Sequence, residues 1–438
     1  MESVDILIKN GLIVTINKQM DVIQNGAIAI KDGRIIQIHK TENLEKRFSA
    51  KKVFDAESKI VMPGFINAHT HIPMTYFRGL ADDLPLQEWL ENYIWPAEAK
   101  FVSEEFVYLA ALHGAAELVK NGITMFNDMY FFPEQTAKAA SRVGIRAIVG
   151  QGIVDFPNAN YKEPKQALDN AVKYQNEFAN NELINFAIAP HSIYSCSSET
   201  LQLASETAQK HNMLLHIHIS ETQKEVENCL KQHHKRPIKY LNDIGFLDSN
   251  VVIAHGIWVN DKELKILREK NISVAITTES NLKLASGFMP IKKYIENGIN
   301  LCLGTDGVAS NNNLSMLDEM DFTAKIHKAY NKNPTILPVD EVVKMATLNS
   351  ATALRKESEL GSLKVGKKAD IILIDTNKLE ILPMYNVYSH LVYTISSNAI
   401  SDVIINGKLI MENHKLLTVD EDEIIDRAKF YQNKIKES

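Results

Sequence analysis

Between residues 61 and 307 the chain alternates short Val- and Ile-rich runs with longer amphipathic stretches, and this alternation limits the fold more than any other feature. Such alternation is the signature of repeated βα units around a parallel sheet. Eight such runs occur, at 60–68, 122–129, 145–154, 184–189, 213–219, 251–257, 272–277 and 299–304. Eight is the strand number that closes a (β/α)8 TIM-type barrel. The segments between them carry helix signals. Ser197-Ser-Glu-Thr-Leu201 sets capping residues before apolar positions, Asn260-Asp-Lys-Glu-Leu264 opens on an Asn or Asp cap, and 107–119 and 290–297 are apolar at helical spacing. The connection 72–121 holds Pro73, Pro85 and Pro96, too many breakers for one plain helix, and is expected as a long loop over the C-terminal face of the barrel.

The two ends read differently. Residues 4–60 are short alternating strands with turn signals at Asn10-Gly11, Asn25-Gly26 and Asp32-Gly33, and residues 365–413 resume the pattern. Neither stretch can bury a good core alone, so the two are expected to pair into one small β-sandwich. The expected division is therefore 1–60 and 365–438 in a small β domain, the latter with a terminal helix, around a metal-dependent barrel of 61–364.

A formal net charge of -6 with no basic block excludes the electrostatic footprint of a nucleic-acid binder. No apolar run approaches the ~20 residues of a membrane helix, and the acidic start Met1-Glu2-Ser3-Val4-Asp5 lacks a signal-peptide core. The expectation is a soluble cytoplasmic protein without membrane or nucleic-acid partners, assembled as a homo-oligomer as such barrels commonly are. Cys196, Cys229 and Cys302 are far apart and form no C-x-x-C, which argues against a disulfide framework or a cysteine-ligated zinc and for a reducing compartment.

His69 and His71 are one residue apart and share one face of a strand, a geometry suited to two ligands of one ion. Side chains at the C-terminal ends of barrel strands converge on one mouth, and His218, His255 and Asp306 each end a later run. Three imidazoles and a carboxylate with one position left for water match a catalytic zinc or iron site. His216 and His218 face the same way, so either could supply the third nitrogen; His218 is preferred because it lies nearer the strand end, with Glu221 three residues on. His113, on an alanine-rich helix, reads as structural. A metal in such a site brings the pKa of its water toward ~7. Asp306 can ligate the ion, accept the water's proton and pass it to a leaving group, and Glu221 can carry a proton to a ring nitrogen.

These residues resemble the amidohydrolase superfamily, and within it the 5-methylthioadenosine/S-adenosylhomocysteine deaminases. The resemblance runs nearly end to end through Pro63-Gly-Phe-Ile-Asn-Ala-His-Thr-His71, Arg78-Gly-Leu-Ala-Asp-Asp-Leu-Pro-Leu86, Ile94-Trp-Pro-Ala-Glu98, Ala189-Pro-His-Ser192, His218-Ile-Ser-Glu221, Ser280-Asn-Leu-Lys-Leu-Ala-Ser-Gly287, Gly304-Thr-Asp-Gly-Val-Ala-Ser-Asn311 and Gly366-Lys-Lys-Ala-Asp370. It implies one divalent ion per subunit, Zn2+ ahead of Fe2+, held by His69, His71, His218 and Asp306, with His255 assisting the nucleophilic water and Glu221 protonating a purine nitrogen. It further implies that Glu98 contacts ribose hydroxyls, that His191 contacts the nucleoside and that Trp95 packs on the substrate. The activity implied is deamination of adenosine, 5-methylthioadenosine or 5-deoxyadenosine to the inosine analogue and ammonia. Two departures touch substrate choice. Members that take S-adenosylhomocysteine carry an arginine after strand 3, where residues 155–164 offer only Lys162, and a frequent His-Asn-Pro after strand 7 is replaced by Ile276-Thr277-Thr278. Guanine or triazine hydrolysis uses nearly the same ligands and is the alternative; a two-metal cyclic-amide hydrolase would need a strand-4 lysine that 184–197 lacks. A non-catalytic scaffold would be expected to have lost ligands that this chain retains.

Overall fold

The structure, a computed structural model, describes residues 1–248 and 250–437. Its centre is a ring of eight parallel strands in sequence order: β1 (Phe65–His71), β2 (Ile123–Tyr130), β3 (Arg146–Ile153), β4 (Ile184–Pro190), β5 (Leu214–Ile219), β6 (Val251–His255), β7 (Ser273–Ile276) and β8 (Leu301–Leu303). Beyond Gly304 and Thr305 the chain of β8 re-enters the sheet as Asp306–Gly307, paired with Thr70 and His71 of β1, and so closes the barrel. The strands obey a period of two. Leu215, Ile217 and Ile219 of β5 face the outer core under the helices, while Leu214 packs inside with Ile66, Met125, Ile148 and Val252, leaving His216 and His218 to point inward.

The termini form a second sheet in which strands Glu2–Val14, Val22–Lys31, Arg34–Lys40, Phe48–Asp55 and Lys59–Pro63 join Ile371–Asp375, Ile400–Ile405, Lys408–Glu412 and Lys415–Leu416. Alternation again divides it. Val61, Ile371, Leu373 and Ile404 face a small core of their own, whereas Ile60, Met62, Ile372, Ile374, Val403 and Ile405 face the barrel's outer core.

Three local expectations are corrected. The run 60–68 is two strands broken at Gly64: Lys59–Pro63 belongs to the terminal sheet, and only Phe65–His71 enters the barrel. A Cβ at Gly64 would lie 2.1 Å from Thr124 Cγ2, so the chain can cross between the sheets there only without a side chain. Asn10-Gly11 and Asn25-Gly26 are not hairpin turns. Each lies within a strand, Gly11 opposite Gly26, at register shifts where Asn10 (φ 62°) and Asn25 (φ 50°) take the left-handed conformation; Asp32-Gly33 alone among the three makes a turn. The strand Glu2–Val14 also pairs parallel to Phe48–Asp55 and Lys59–Pro63, so the sheet is mixed rather than purely antiparallel.

Residues 72–101 are short helical pieces rather than open loop: Ile72–Phe77, Leu86–Trp89, the π-turn Leu90–Ile94 and Trp95–Phe101, before the long helix Glu104–Lys120. The prolines sit where they do no harm, Pro73 and Pro96 in the first turns of their pieces and Pro85 just ahead of Leu86. These pieces form a cap over the C-terminal ends of the strands, cored by Met74, Phe77, Trp89, Leu90, Ile94 and Phe106. The expected caps at Ser197 and Asn260 are present, Asn260 in a full capping box with Glu263. Among the described residues no helix is long and apolar enough to cross a membrane, and Cys196, Cys229 and Cys302 are free and buried.

Candidate active site

At the C-terminal mouth of the barrel, ligand atoms of His69, His71, His218 and Asp306 all lie within 4.8 Å of one another. Asp306 Oδ1 is 3.2 Å from His69 Nε2 and 3.3 Å from His71 Nε2, and His218 Nε2 is 3.2 Å from His71 Nε2. Backbone carbonyls fix two of the rings. His71 Nδ1 lies 2.6 Å from Met129 O and His218 Nδ1 2.8 Å from His191 O, contacts that place a proton on each Nδ1 and leave each Nε2 a bare lone pair aimed at the centre. His69 Nε2 is fully buried and makes no hydrogen bond. Two converging lone pairs, an orphaned nitrogen and a carboxylate oxygen are the donor set that one divalent cation satisfies, so the residues fit the ion that the sequence implied.

The carboxylate is held for this arrangement. Burial drives the Asp306 pKa up, but the imidazoles of His69 and His71 outweigh burial and hold it well below the ordinary range, so Asp306 is ionised. Its Oδ2 accepts from Ser280 Oγ at 2.6 Å and its Oδ1 from the Gly307 N–H at 2.8 Å. Backbone strain marks the site: Ser220 (φ 54°), His255 (φ 69°) and Asp306 (φ 61°) sit in the left-handed region immediately after or at strand ends. Each costs on the order of 1–3 kcal/mol, held by its surroundings.

His255 ends β6, its Nδ1 2.9 Å from Asn281 Oδ1 and 3.0 Å from Thr277 Oγ1, which aims Nε2 into the mouth 3.7 Å from Glu221 Oε2. Glu221 follows β5 and accepts from Ser286 Oγ at 3.2 Å; burial raises its pKa. His216 is fully buried but outside the ligand group, with Nε2 2.8 Å from His69 Nδ1 and Nδ1 3.1 Å from Asn127 Nδ2, so of the two β5 histidines His218 joins the cluster and His216 backs it. His113 lies on the helix Glu104–Lys120, ring to ring with Tyr76 and away from the cluster.

Glu98, Trp95 and His191 all line one cavity of about 580 Å³ with His71, His218, Glu221, His255 and Asp306. Glu98, in the cap, is pushed up to about 7 by burial, against the hydroxyl of Tyr130, which donates to its Oε1 at 2.6 Å. His191 is pushed down to about 3 by burial and the neighbouring imidazoles, so it is neutral. Trp95 and Phe156 both line the cavity, their ring centroids 5.9 Å apart.

Several positioning groups escaped the reading of the sequence. Tyr130 orients Glu98, Asn281 orients His255, and Glu225 accepts from the N–H groups of Ser220 and Glu221 at 2.8 and 2.9 Å, which fixes the turn that presents Glu221. Ser280 and Asn281 lie in a stretch already singled out by resemblance; nothing in the local pattern marks Tyr130 or Glu225.

The model of the amidohydrolase family matches residues 60–410, and the chain belongs to that family. It is 44% identical over 434 residues to a 5-methylthioadenosine/S-adenosylhomocysteine deaminase of Thermodesulfovibrio yellowstonii, covering 99% of both chains. It is 43% identical over 429 residues to a 5'-deoxyadenosine deaminase of Methanosphaera stadtmanae, covering 98% of both. Among solved structures, an adenosine deaminase from Xanthomonas campestris with bound zinc matches with a TM-score of 0.98 at 34% identity, covering 100% of both chains.

Proposed function

We propose that this amidohydrolase deaminates adenosine-type nucleosides by hydrolysis, converting the 6-aminopurine to its inosine analogue and releasing ammonia. One observation carries the reading: His255 and Glu221 stand beside the four residues that could hold a cation, His69, His71, His218 and Asp306, at a cavity that the carboxyl-bearing Glu98 also lines. The names of full-length relatives above 40% identity support the substrate class.

His69, His71, His218 and Asp306 would hold one divalent ion, for which zinc is the first candidate because the matching adenosine deaminase binds it. When bound, such an ion supplies Lewis-acid activation of water, bringing its pKa toward ~7. Asp306, ionised, accepts the proton of the attacking water as the C6–O bond forms. His255, held through Nδ1 by Asn281 and Thr277, orients that water through Nε2. Glu221, which burial keeps protonated to higher pH than a free carboxyl, donates to the ring nitrogen next to C6. Asp306 then returns its proton to the departing amine, and the C6–N bond breaks. Glu98 accepts hydrogen bonds from the ribose hydroxyls, and neutral His191 bonds to the nucleoside.

The test is ammonia release from adenosine, 5-methylthioadenosine and 5'-deoxyadenosine by metal-replete protein. Turnover of at least one is expected; inertness towards all three, with metal bound, would overturn the proposal.

A further inference from the structure

The cavity has two chemically distinct zones. Its floor is the polar ring at the strand ends. Its outer wall comes from the cap, with Trp89, Leu90 and Trp95, and from the segments after β2, β3 and β7, with Phe131, Phe156 and Leu284. Among the described residues lining the cavity none is lysine or arginine, whereas Glu98, Glu221 and Asp306 all contribute carboxyl groups. Two cations near the mouth are committed elsewhere. Lys283, next to Leu284, is bound to Asp82 and to Asn312 Oδ1, and Arg78 is bound to Glu117. Lys162 is exposed on the loop after β3 and does not line the cavity.

A nucleoside whose base reaches Glu221 and whose ribose reaches Glu98 must direct its 5' substituent along this outer wall, since the floor is filled by the base. An alkyl or thioether group there loses water against apolar rings, which is favourable. A terminal carboxylate there loses water and finds no cationic partner, and burying an unpaired charge is strongly unfavourable.

From this we infer that the outer wall is a subsite for an uncharged, apolar 5' group, so that the protein selects 5'-alkylthio and 5'-deoxy nucleosides and discriminates against a tail ending in an α-amino acid. The inference rests on the deaminase reading and sharpens it, because the names of some relatives cover both kinds of substrate.

The experiment compares kcat/KM for 5-methylthioadenosine, S-adenosylhomocysteine and 5'-butylthioadenosine, the last with a neutral tail of length similar to that of the amino-acid one. Expected are values for the two neutral thioethers within about tenfold of each other, and a value for S-adenosylhomocysteine more than about tenfold below both. S-adenosylhomocysteine within tenfold of butylthioadenosine overturns the inference, whether both are fast or both are slow, because charge then decides nothing. Inertness towards all three thioethers overturns this inference alone when adenosine or 5'-deoxyadenosine is still deaminated, and takes the deaminase reading with it when those two are inert as well; brisk turnover of all three sinks the inference alone.

Discussion

Glu98 and Tyr130 show how one hydrogen bond can set a binding profile. A carboxyl with its pKa pushed up to about 7 is protonated below that pH, and a protonated carboxyl cannot accept from both hydroxyls of a ribose with both oxygens. KM should therefore rise as pH falls through about 7. The Tyr130 hydroxyl favours the ionised form, so Tyr130→Phe should push the Glu98 pKa further up and move that limb to higher pH, with KM at neutral pH raised about tenfold, as for loss of a bond to a charged group, and kcat little changed. A KM–pH profile that keeps its midpoint in the variant would remove Tyr130 from this role. Glu221→Gln separates chemistry from binding at the other wall. The amide is isosteric but holds no transferable proton, so kcat should drop about 10²- to 10⁴-fold while bound metal, measured by elemental analysis, stays at the wild-type ratio.

Among the elements, the junction of β1 with β8 carries the most risk, because the ligand strand is pressed against the strand that closes the barrel. A Cβ at Gly304 would lie 2.7 Å from His69 O and 2.8 Å from His69 N, both backbone atoms that cannot swing aside. Gly304→Ala should cost about 1–3 kcal/mol in chemical denaturation and lower the metal content, since His69 moves with its strand. A variant of wild-type stability and full metal occupancy would contradict this account. Much of this architecture was legible because strands buried on both faces leave largely apolar runs, and a histidine or aspartate ending such a run is conspicuous. Where the sequence misled, two structures share one local signal. Ile60 to Ala68 is apolar but for Asn67, and stays so across Gly64, because both sheets bury their strands there, and Asn-Gly serves a bulge as well as a hairpin, since each needs only a left-handed residue. Tyr130 and Glu225 were invisible for another reason: each works through a partner that the folded chain brings within 3 Å.

At the scale of the whole molecule, the terminal sheet and the barrel are joined by charge as well as by shared core. Arg146 starts β3, and its guanidinium meets Asp370 in a forked pair, Nε to Oδ2 at 2.6 Å and Nη2 to Oδ1 at 3.1 Å, with side-chain exposures of 7% and 5%. The same guanidinium donates to Glu182 O and Asn406 Oδ1, and Asp370 O accepts from the Gly64 N–H where the chain passes from one sheet to the other. Removing one member of a buried pair strands the other charge, at a cost of about 3 kcal/mol or more, whereas neutralising both spares that penalty. Asp370→Asn should therefore lower stability by about 3 kcal/mol, and Asp370→Asn combined with Arg146→Met should be less destabilised than the single variant, each unfolding in one transition if the two sheets form one cooperative unit. Because Arg146 lies at the N-terminal end of its strand, remote from the mouth, the single variant should keep the wild-type kcat at temperatures where it is folded. Two separate transitions in denaturant would show instead that the sheets unfold independently, and a double variant weaker than the single one would show that the pair contributes more than its desolvation costs.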